Sequence, residues 1–244
     1  MSITRERSDA PLRAVIMAGG SGVRLRPLTY AVPKPLLPIG RYTVIEYAIK
    51  RLAASGIREI FVVTHYHSDK FAVCRDYGDR YGVQVDLVRE TCQMGTIGGI
   101  YPLRDRLDGS FLMLNGDLVT SIDYADLYRF HRETCAVFSV VSHDYVSQVP
   151  YGVLSIGADS SLAAIVEKPS HTVPINAGIY VAEPDVFEMM DGGRLDVPHL
   201  LGQLIARNRR ISVYRHAHKW LDIGHSHDYE QAIDILAQWE NGNG

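Results

Sequence analysis

Three cations stand close together on a stretch of chain that has little freedom to move. Arg24, Arg26 and Lys34 lie in AGGSGVRLRPLTYAVPKPLLPIG, where an apolar run ending at Ala18 stops at Gly19-Gly20-Ser21-Gly22. Glycines at 19, 20 and 22 permit positive φ and let backbone N–H groups come close to an anion. Arg24 and Lys34 would add full positive charge against phosphate oxygens. Pro27, Pro33, Pro35 and Pro38 hold the path at low entropy cost. Together these residue types read as a rigid cradle for a triphosphate, although any one of them alone reads as a glycine turn or a solvated cation. The two familiar glycine motifs do not fit. A P-loop requires GxxxxGK[ST], and no lysine follows Gly22. A dinucleotide fingerprint requires a third glycine and an acid ending the second strand, where this chain has Val63-Thr64-His65.

Two aspartates also end apolar runs: Asp117 in FLMLNGD and Asp222 in KWLDIG. Paired carboxylates with coordination positions to spare hold Mg²⁺ on nucleotide phosphates. Either alone reads equally well as a turn or cap residue. Glu167-Lys168-Pro169 closes another strand-like run with an acid and a cation, for which a surface ion pair is the plainer reading. His65 and His67 form one HxH, and His216, His218, His225 and His227 flank Asp222. No third ligand stands at a characteristic spacing, which favours solvated or partner-bonded histidines over zinc. No cysteine carries a nucleophile signature.

The elements that must position these groups alternate. Leu12 to Ala18 is a continuous aliphatic run ended by glycine, the pattern of a buried parallel strand. From Thr43 an amphipathic helix places Val44, Ile45, Ala48, Ile49 and Leu52 on one face and stops at Gly56. Further strands are read at 59–64, 83–88, 110–115 and 135–142, with helices from an N-cap at Ser68 to about 80 and at 124–132. This spacing predicts an α/β domain with a mostly parallel sheet, whose strand ends would carry the ligand. After Val149-Pro150 the runs shorten to 151–156, 162–167 and 179–182. Helices return at 184–190 and 198–208, and a last one capped by Ser226 ends near Trp239 with Tyr229, Ala232, Ile233 and Leu236 on its apolar face.

Composition sets the outer bounds. At 244 residues and 46% hydrophobic content, the chain reads as one domain over 12–240, in a nucleotide part (about 12–149) and a second part (about 150–240). Residues 1–11 read as a disordered lead-in without signal-peptide character. A net charge of −3 gives no electrostatic case for nucleic acid or an anionic membrane, and no run reaches membrane-span length. Three cysteines without CxxC spacing point to free thiols in a reducing compartment, the cytoplasm by default.

The assembled motifs resemble those of the sugar-1-phosphate nucleotidyltransferases, in particular the branch using guanine nucleotides with mannose- or heptose-type phosphates. Residues 19–29 match the opening GGxGxRLxPLT, and Pro33-Lys34-Pro35-Leu36-Leu37-Pro38-Ile39 matches PKPLLPI. Gly95-Thr96-Ile97-Gly98 resembles the GTAG loop, and Asn115-Gly116-Asp117 the NGD segment. Tyr151-Gly152-Val153, Glu167-Lys168-Pro169, Asn176-Ala177-Gly178-Ile179-Tyr180 and Trp220-Leu221-Asp222 follow in family order. Val23 stands where a small polar residue or an acid is frequent, and Ile97 where alanine is usual.

The resemblance implies a Rossmann-like three-layer α/β/α nucleotidyltransferase domain with a mixed, mostly parallel central sheet. It implies that Arg24 and Lys34 hold NTP phosphates and that Asp117 and Asp222 bind Mg²⁺. Ala18, Gly19, Gly20, Gly22, Gly95, Thr96 and Gly98 would lie along the nucleotide, and Gly152, Glu167, Lys168 and Asn176 along the sugar phosphate. The expected partners are an NTP, GTP first, and a sugar 1-phosphate. Thymidylyl, uridylyl and cytidylyl transfer stay open, as does a homo-oligomer. A non-catalytic regulatory homologue would be expected to lack Arg24, Lys34, Asp117 or Asp222, and all four are present. A glycosyltransferase would be expected to show a DxD motif, and Asp117-Leu118-Val119 is not one.

Overall fold

In strand β1 (Arg13–Ala18) successive side chains after Arg13 enter different cores, which requires an apolar residue at each. Ala14, Ile16 and Ala18 face one helical layer and Val15 the other, all buried. The structure, a computed structural model, describes residues 13–215 and 219–240. The lead-in 1–11, Leu12, His216 and His218 lie outside the described residues.

After β1 come a 3₁₀ turn (Val23–Leu25), helix α1 (Leu28–Ala31), a second 3₁₀ turn (Lys34–Leu36) and the short pair β2 (Pro38–Ile39) and β3 (Tyr42–Thr43). Helix α2 (Val44–Ala54) starts where Thr43 Oγ1 accepts the Glu46 N–H at 3.2 Å. Strand β4 (Glu59–Thr64), helix α3 (Val73–Tyr81), strands β5 (Gln84–Arg89), β6 (Phe111–Asn115) and β7 (Leu118–Thr120) and helix α4 (Tyr124–Thr134) complete the first part. The second part holds β8 (Phe138–Gln148), β9 (Val153–Ile156), β10 (Leu162–Val166), β11 (Ser170–Ala182), α5 (Val197–Ala206), β12 (Ile211–Arg215), β13 (Trp220–Asp222) and α6 (Ser226–Glu240).

Seven strands form the central sheet in the order β12-β8-β11-β6-β1-β4-β5. All pairings are parallel except those of β11, which runs against both β6 and β8. The mixed, mostly parallel sheet is therefore as expected. Helices α2, α3 and α4 cover one face through Ile45, Ile49, Leu52, Tyr77 and Leu127. Helix α5 and the 3₁₀ segment Gly98–Leu103 cover the other through Leu200, Leu204, Ile100 and Leu103. A third core joins the ends of the described chain. In it Ala232 and Leu236 of α6 meet Leu25, Leu37 and Ile39 of the cationic loop, and Tyr229 Oη donates to Pro38 O at 2.6 Å.

Several expected boundaries shift. Ser68 caps no helix: the chain enters a 3₁₀ turn (Ser68–Ala72) from His67 at φ 51° before α3 begins. Cys135 does not begin a strand; it ends α4 in the left-handed region at φ 52°. Ser226 is the first residue of α6, whose start is tied by Asp228 Oδ2 accepting the N–H groups of His225 (2.7 Å) and Gly224 (3.1 Å). The largest shift is in β8 and β11, which run beyond the sheet as a ribbon pairing Asn176 with Ser142 through Ser170 with Gln148. Its outer residues are mostly exposed, so no apolar run announces it. Among the described residues, no helix is long and apolar enough to cross a membrane.

The packing predicts how the three thiols react. All are free; Cys74 is fully buried, and burial pushes its thiol up to about 12. Cys92 and Cys135 are exposed. A colorimetric thiol reagent should titrate two groups rapidly in the folded protein and a third only after denaturation. Rapid modification of all three would show that the α2–α3 layer is loosely packed.

Candidate active site

The cationic loop, the two aspartates and the GTIG segment converge at the carboxyl edge of the sheet. Asp117 follows β6, the neighbour of β1. The β7–β13 ladder, pairing Leu118 with Asp222 and Thr120 with Trp220, brings the second aspartate beside it. Ile223 N–H donates to Asp117 O at 3.1 Å and locks that register. Lys34 then reaches between them. Its Nζ pairs with Asp117 Oδ2 and lies 3.9 Å from Asp222 Oδ1. Arg24 is exposed, with its guanidinium close to Gly224, and its charge acts on Asp222.

The carboxylates are in tension. Burial, and next the Asp117 charge, raise the Asp222 carboxyl above the ordinary range, while Lys34 and Arg24 pull it down. Asp117 Oδ1 and Asp222 Oδ1 are both buried without a hydrogen-bond partner. Two orphaned carboxylate oxygens at one spot are a donor set suited to a hard divalent cation. Among the described residues no group of three or more His, Cys, Asp or Glu side chains could hold a metal, which leaves the zinc reading without support there. His67 also departs from a regular strand, so the 65–67 pair does not present one face.

Two cavities meet at this point. One, of about 350 Å³, is lined by Gly19, Gly20, Ser21, Glu90, Gly95, Thr96, Asn115 and Asp117, with Met17, Arg194 and Asp196. The other, of about 330 Å³, is lined by Thr96, Asn115, Asn176, Gly178, Tyr180, Trp220 and Asp222. Thr96 and Asn115 belong to both walls, and each cavity contains one of the two aspartates. Of the opening glycines, Gly22 alone takes a positive φ, and Thr29 Oγ1 donates to its carbonyl at 2.8 Å. Ala18 is buried beneath the loop and Gly98 is packed on the backbone of 193–195; neither is a lining residue.

The GTIG segment is latched to α5, a hundred residues away. Thr96 N–H donates to Asp196 Oδ1 and Thr96 Oγ1 accepts from Val197 N–H, each at 2.8 Å. Gly95 is required for this approach: at φ 81°, a Cβ there would lie 2.5 Å from Leu195 O. On the other wall, a bulge in β11 between Asn176 and Tyr180 shapes the second cavity. Asn176 spans it, accepting from Gly178 N–H at 3.0 Å and donating to Tyr180 Oη at 2.8 Å. Trp220 Nε1 donates to Ala177 O at 2.8 Å.

Gly152, Glu167 and Lys168 lie elsewhere. They cluster on the exposed β9–β10 hairpin at the outer end of the ribbon, where Glu167 sits against Gly152. Six residue steps run from Ser170 to Asn176, about 20 Å of extended strand. Asn115, Glu90, Arg194, Asp196, Tyr180 and Trp220 line the cavities and were not singled out from the sequence as site residues.

Residues 13–238 match the family described as Nucleotidyl transferase. The chain belongs to that family. It is 31% identical over 226 residues to a mannose-1-phosphate guanyltransferase of Yarrowia lipolytica, covering 89% of this chain and 62% of that one. A UTP--glucose-1-phosphate uridylyltransferase of Synechocystis is 29% identical over 91% of this chain and 62% of its own length. The chain thus spans somewhat under two thirds of the curated relatives it matches. Among solved structures, HddC from Yersinia pseudotuberculosis superposes with a TM-score of 0.73 at 24% identity, over 92% of this chain and 99% of that one. That likeness agrees with the observed fold.

The latch can be tested directly. Thr96→Val keeps the side-chain shape but leaves the Val197 N–H without its acceptor, at a cost of about 1 kcal/mol or somewhat more. We expect Tm to fall by a few degrees, with Thr96→Ser restoring it, and the KM of any ligand that enters the first cavity to rise severalfold in Thr96→Val. A Thr96→Val protein with wild-type Tm and KM would show that the latch positions nothing.

Proposed function

We propose that the chain transfers a nucleotidyl group from GTP to a mannose- or heptose-type sugar 1-phosphate, releasing pyrophosphate. The observation that carries this reading is the junction itself. Two cavities of nucleotide and sugar size share Thr96 and Asn115, one carries Asp117 and the other Asp222, and Lys34 reaches between these acids, where an acceptor phosphate would face an α-phosphate. The GTP and mannose assignment is favoured by the guanyltransferase among the relatives, and the uridylyltransferase keeps UTP as the second candidate. Free thiols among the described residues fit a cytoplasmic setting.

In this reading the triphosphate lies along Gly19, Gly20, Ser21 and Gly22, with Arg24 and Lys34 offsetting its charge. Gly95, Thr96 and Gly98 form the nucleoside-side wall, the first two lining the cavity and the third packing it. Asp117 and Asp222 would hold Mg²⁺, which when bound supplies charge neutralisation on the phosphates. The sugar-phosphate oxygen attacks the α-phosphorus in line, the P–O bond to the β-phosphate breaks, and pyrophosphate leaves. The attacking oxygen belongs to an ionised phosphate, so no side chain has to remove a proton. Positioning and charge do the work.

Asn176 forms part of the sugar cavity. Glu167, Lys168 and Gly152 would complete it from the hairpin when the ribbon bends inward. Lys168→Ala should then raise the sugar-phosphate KM by roughly 10- to 100-fold, the worth of a charge-assisted contact, with the nucleotide KM nearly unchanged. An unaltered sugar-phosphate KM and kcat would confine Lys168 to the hairpin surface.

The test of the reaction is a matrix of five nucleoside triphosphates against several sugar 1-phosphates, read by pyrophosphate release. Transfer of sugar from a nucleotide sugar, without pyrophosphate, would exclude it. The metal pair is tested separately. Asp117→Asn and Asp222→Asn remove charge at constant size, and each should cut kcat by orders of magnitude. If both hold one ion, the double variant should be far less damaged than the product of the singles. Full turnover in chelator, or near-wild-type activity of either folded variant, would remove the assignment; multiplicative losses would give the aspartates separate tasks.

A further inference from the structure

The arm that carries Gly152, Glu167 and Lys168 stands outside the body of the protein, yet its side chains are those of an interior. Ten large apolar side chains between Tyr145 and Val173 are exposed, among them Leu154 (52%), Ile156 (71%), Leu162 (62%) and Ile165 (61%). Val153 pairs with Val166 and Leu154 with Ile165. Neighbours along a strand point to opposite faces, so both faces of the hairpin are apolar. Between His143 and Asn176 the only charges are Asp144, Asp159, Glu167 and Lys168, in a chain with 22% charged residues. An exposed segment that is apolar and poor in charge has the composition of a contact surface. A two-stranded hairpin is also marginally stable in water unless something covers it.

The way the arm is held says what covers it. The β8–β11 ladder keeps one register from Ser142–Asn176 to Gln148–Ser170, and Val149 N–H donating to Pro169 O at 3.0 Å carries it to the hairpin. Its base is fastened. Arg215 Nη2 donates to both carboxylate oxygens of Asp144, at 3.1 and 3.3 Å, and the His143 ring lies 4.9 Å from that of Trp220. None of Gly152, Glu167 and Lys168 lines either cavity of its own chain. Closing the arm over its own body would strain these contacts and cover one face only. A second copy, whose own arm returns the contact, covers it with the ladder intact. Ten such side chains, about half exposed, present roughly 500 Å² of apolar surface. Two exchanged arms, each meeting an equal area of the partner, bury about 2,000 Å², the size of a stable interface.

We propose that two copies of this chain exchange these arms, so that Glu167 and Lys168 of one complete the sugar cavity of the other. This rests on the sugar-phosphate role given to Lys168 above, and it makes the inward approach of that residue a step across a dimer. The test is a heterodimer of D222N and K168A chains, copurified on two different tags. It is assayed by pyrophosphate release with GTP and mannose 1-phosphate, the latter below its wild-type KM. One of its cavities combines an intact Asp222 with the partner's Lys168, and the other holds both defects. The heterodimer should recover about half of the wild-type kcat/KM, whereas either variant alone keeps about a tenth or less. Activity no higher than that of the two parents would put each arm on its own cavity and overturn the exchange. So would a wild type that sediments as a monomer at assay concentration. L154E/I165E alters exposed positions only; it should sediment as a monomer, with the sugar-phosphate KM raised roughly 10- to 100-fold and the GTP KM unchanged. A wild type that releases no pyrophosphate would overturn the reaction on which the role of Lys168 rests. Sedimentation then decides the arms separately: a dimer that L154E/I165E leaves intact overturns their exchange.

Discussion

Asp117 and Asp222 are held together by backbone before any cation arrives, and much of the site follows from that. The β7–β13 ladder is three residue pairs long, and the Ile223–Asp117 hydrogen bond extends its register to the carboxylates. Burial, and next the neighbouring Asp117 charge, raise the proton affinity of the Asp222 carboxyl. Lys34 supplies a positive partner from a loop more than eighty residues earlier, pairing with Asp117 and lying 3.9 Å from Asp222 Oδ1. That loop is fixed by Pro33 and Pro35 on either side of the lysine and by Leu37 and Ile39 in the third core. Helix α6 closes that core, so the last element of the described chain sets where the first loop can stand.

The single antiparallel strand has a comparable role on the other wall. Where β11 passes between β6 and β8 it bulges at Asn176 to Tyr180, and the bulge leaves room for a ligand beside Asn115 and Trp220. A regular strand would fill that space. Gly178 shows how tight the arrangement is, since at φ 72° a Cβ there would meet the Asn115 amide at 2.6 Å. The Thr96–Asp196 latch does for the first cavity what the bulge does for the second. It binds a loop to the start of a helix, so that one residue can form part of both cavities.

What the sequence made legible was local. The strands buried on both faces show as unbroken apolar runs, and the glycine–proline loop announces itself by residue type and spacing. Asp117 and Asp222 could be found because each ends such a run. The ribbon formed by the outer halves of β8 and β11 could not, since its pairing is a backbone property and its side chains are solvated. Nor could the latch, whose partners are a hundred positions apart. Glu90 is the instructive case. It also ends a strand, but Val-Arg-Glu followed by Thr-Cys-Gln reads as any polar turn. Only the folded chain shows that its carboxylate is packed against Gly19 and Gly99 at the wall of the first cavity.

The two halves of the site are stabilised in different ways. The wall of the first cavity belongs to the sheet edge, backed by helical layers whose buried side chains resist displacement. The β9–β10 hairpin is exposed along its whole length, Leu154, Ile156, Leu162 and Ile165 included, so ladder hydrogen bonds rather than a core hold it. Segments with few buried contacts are the ones that open and close at low cost. A rigid wall and an exposed arm follow from how the buried side chains are distributed along the chain: frequent before residue 142, absent from 143 to 176, and frequent again where β11 re-enters the sheet.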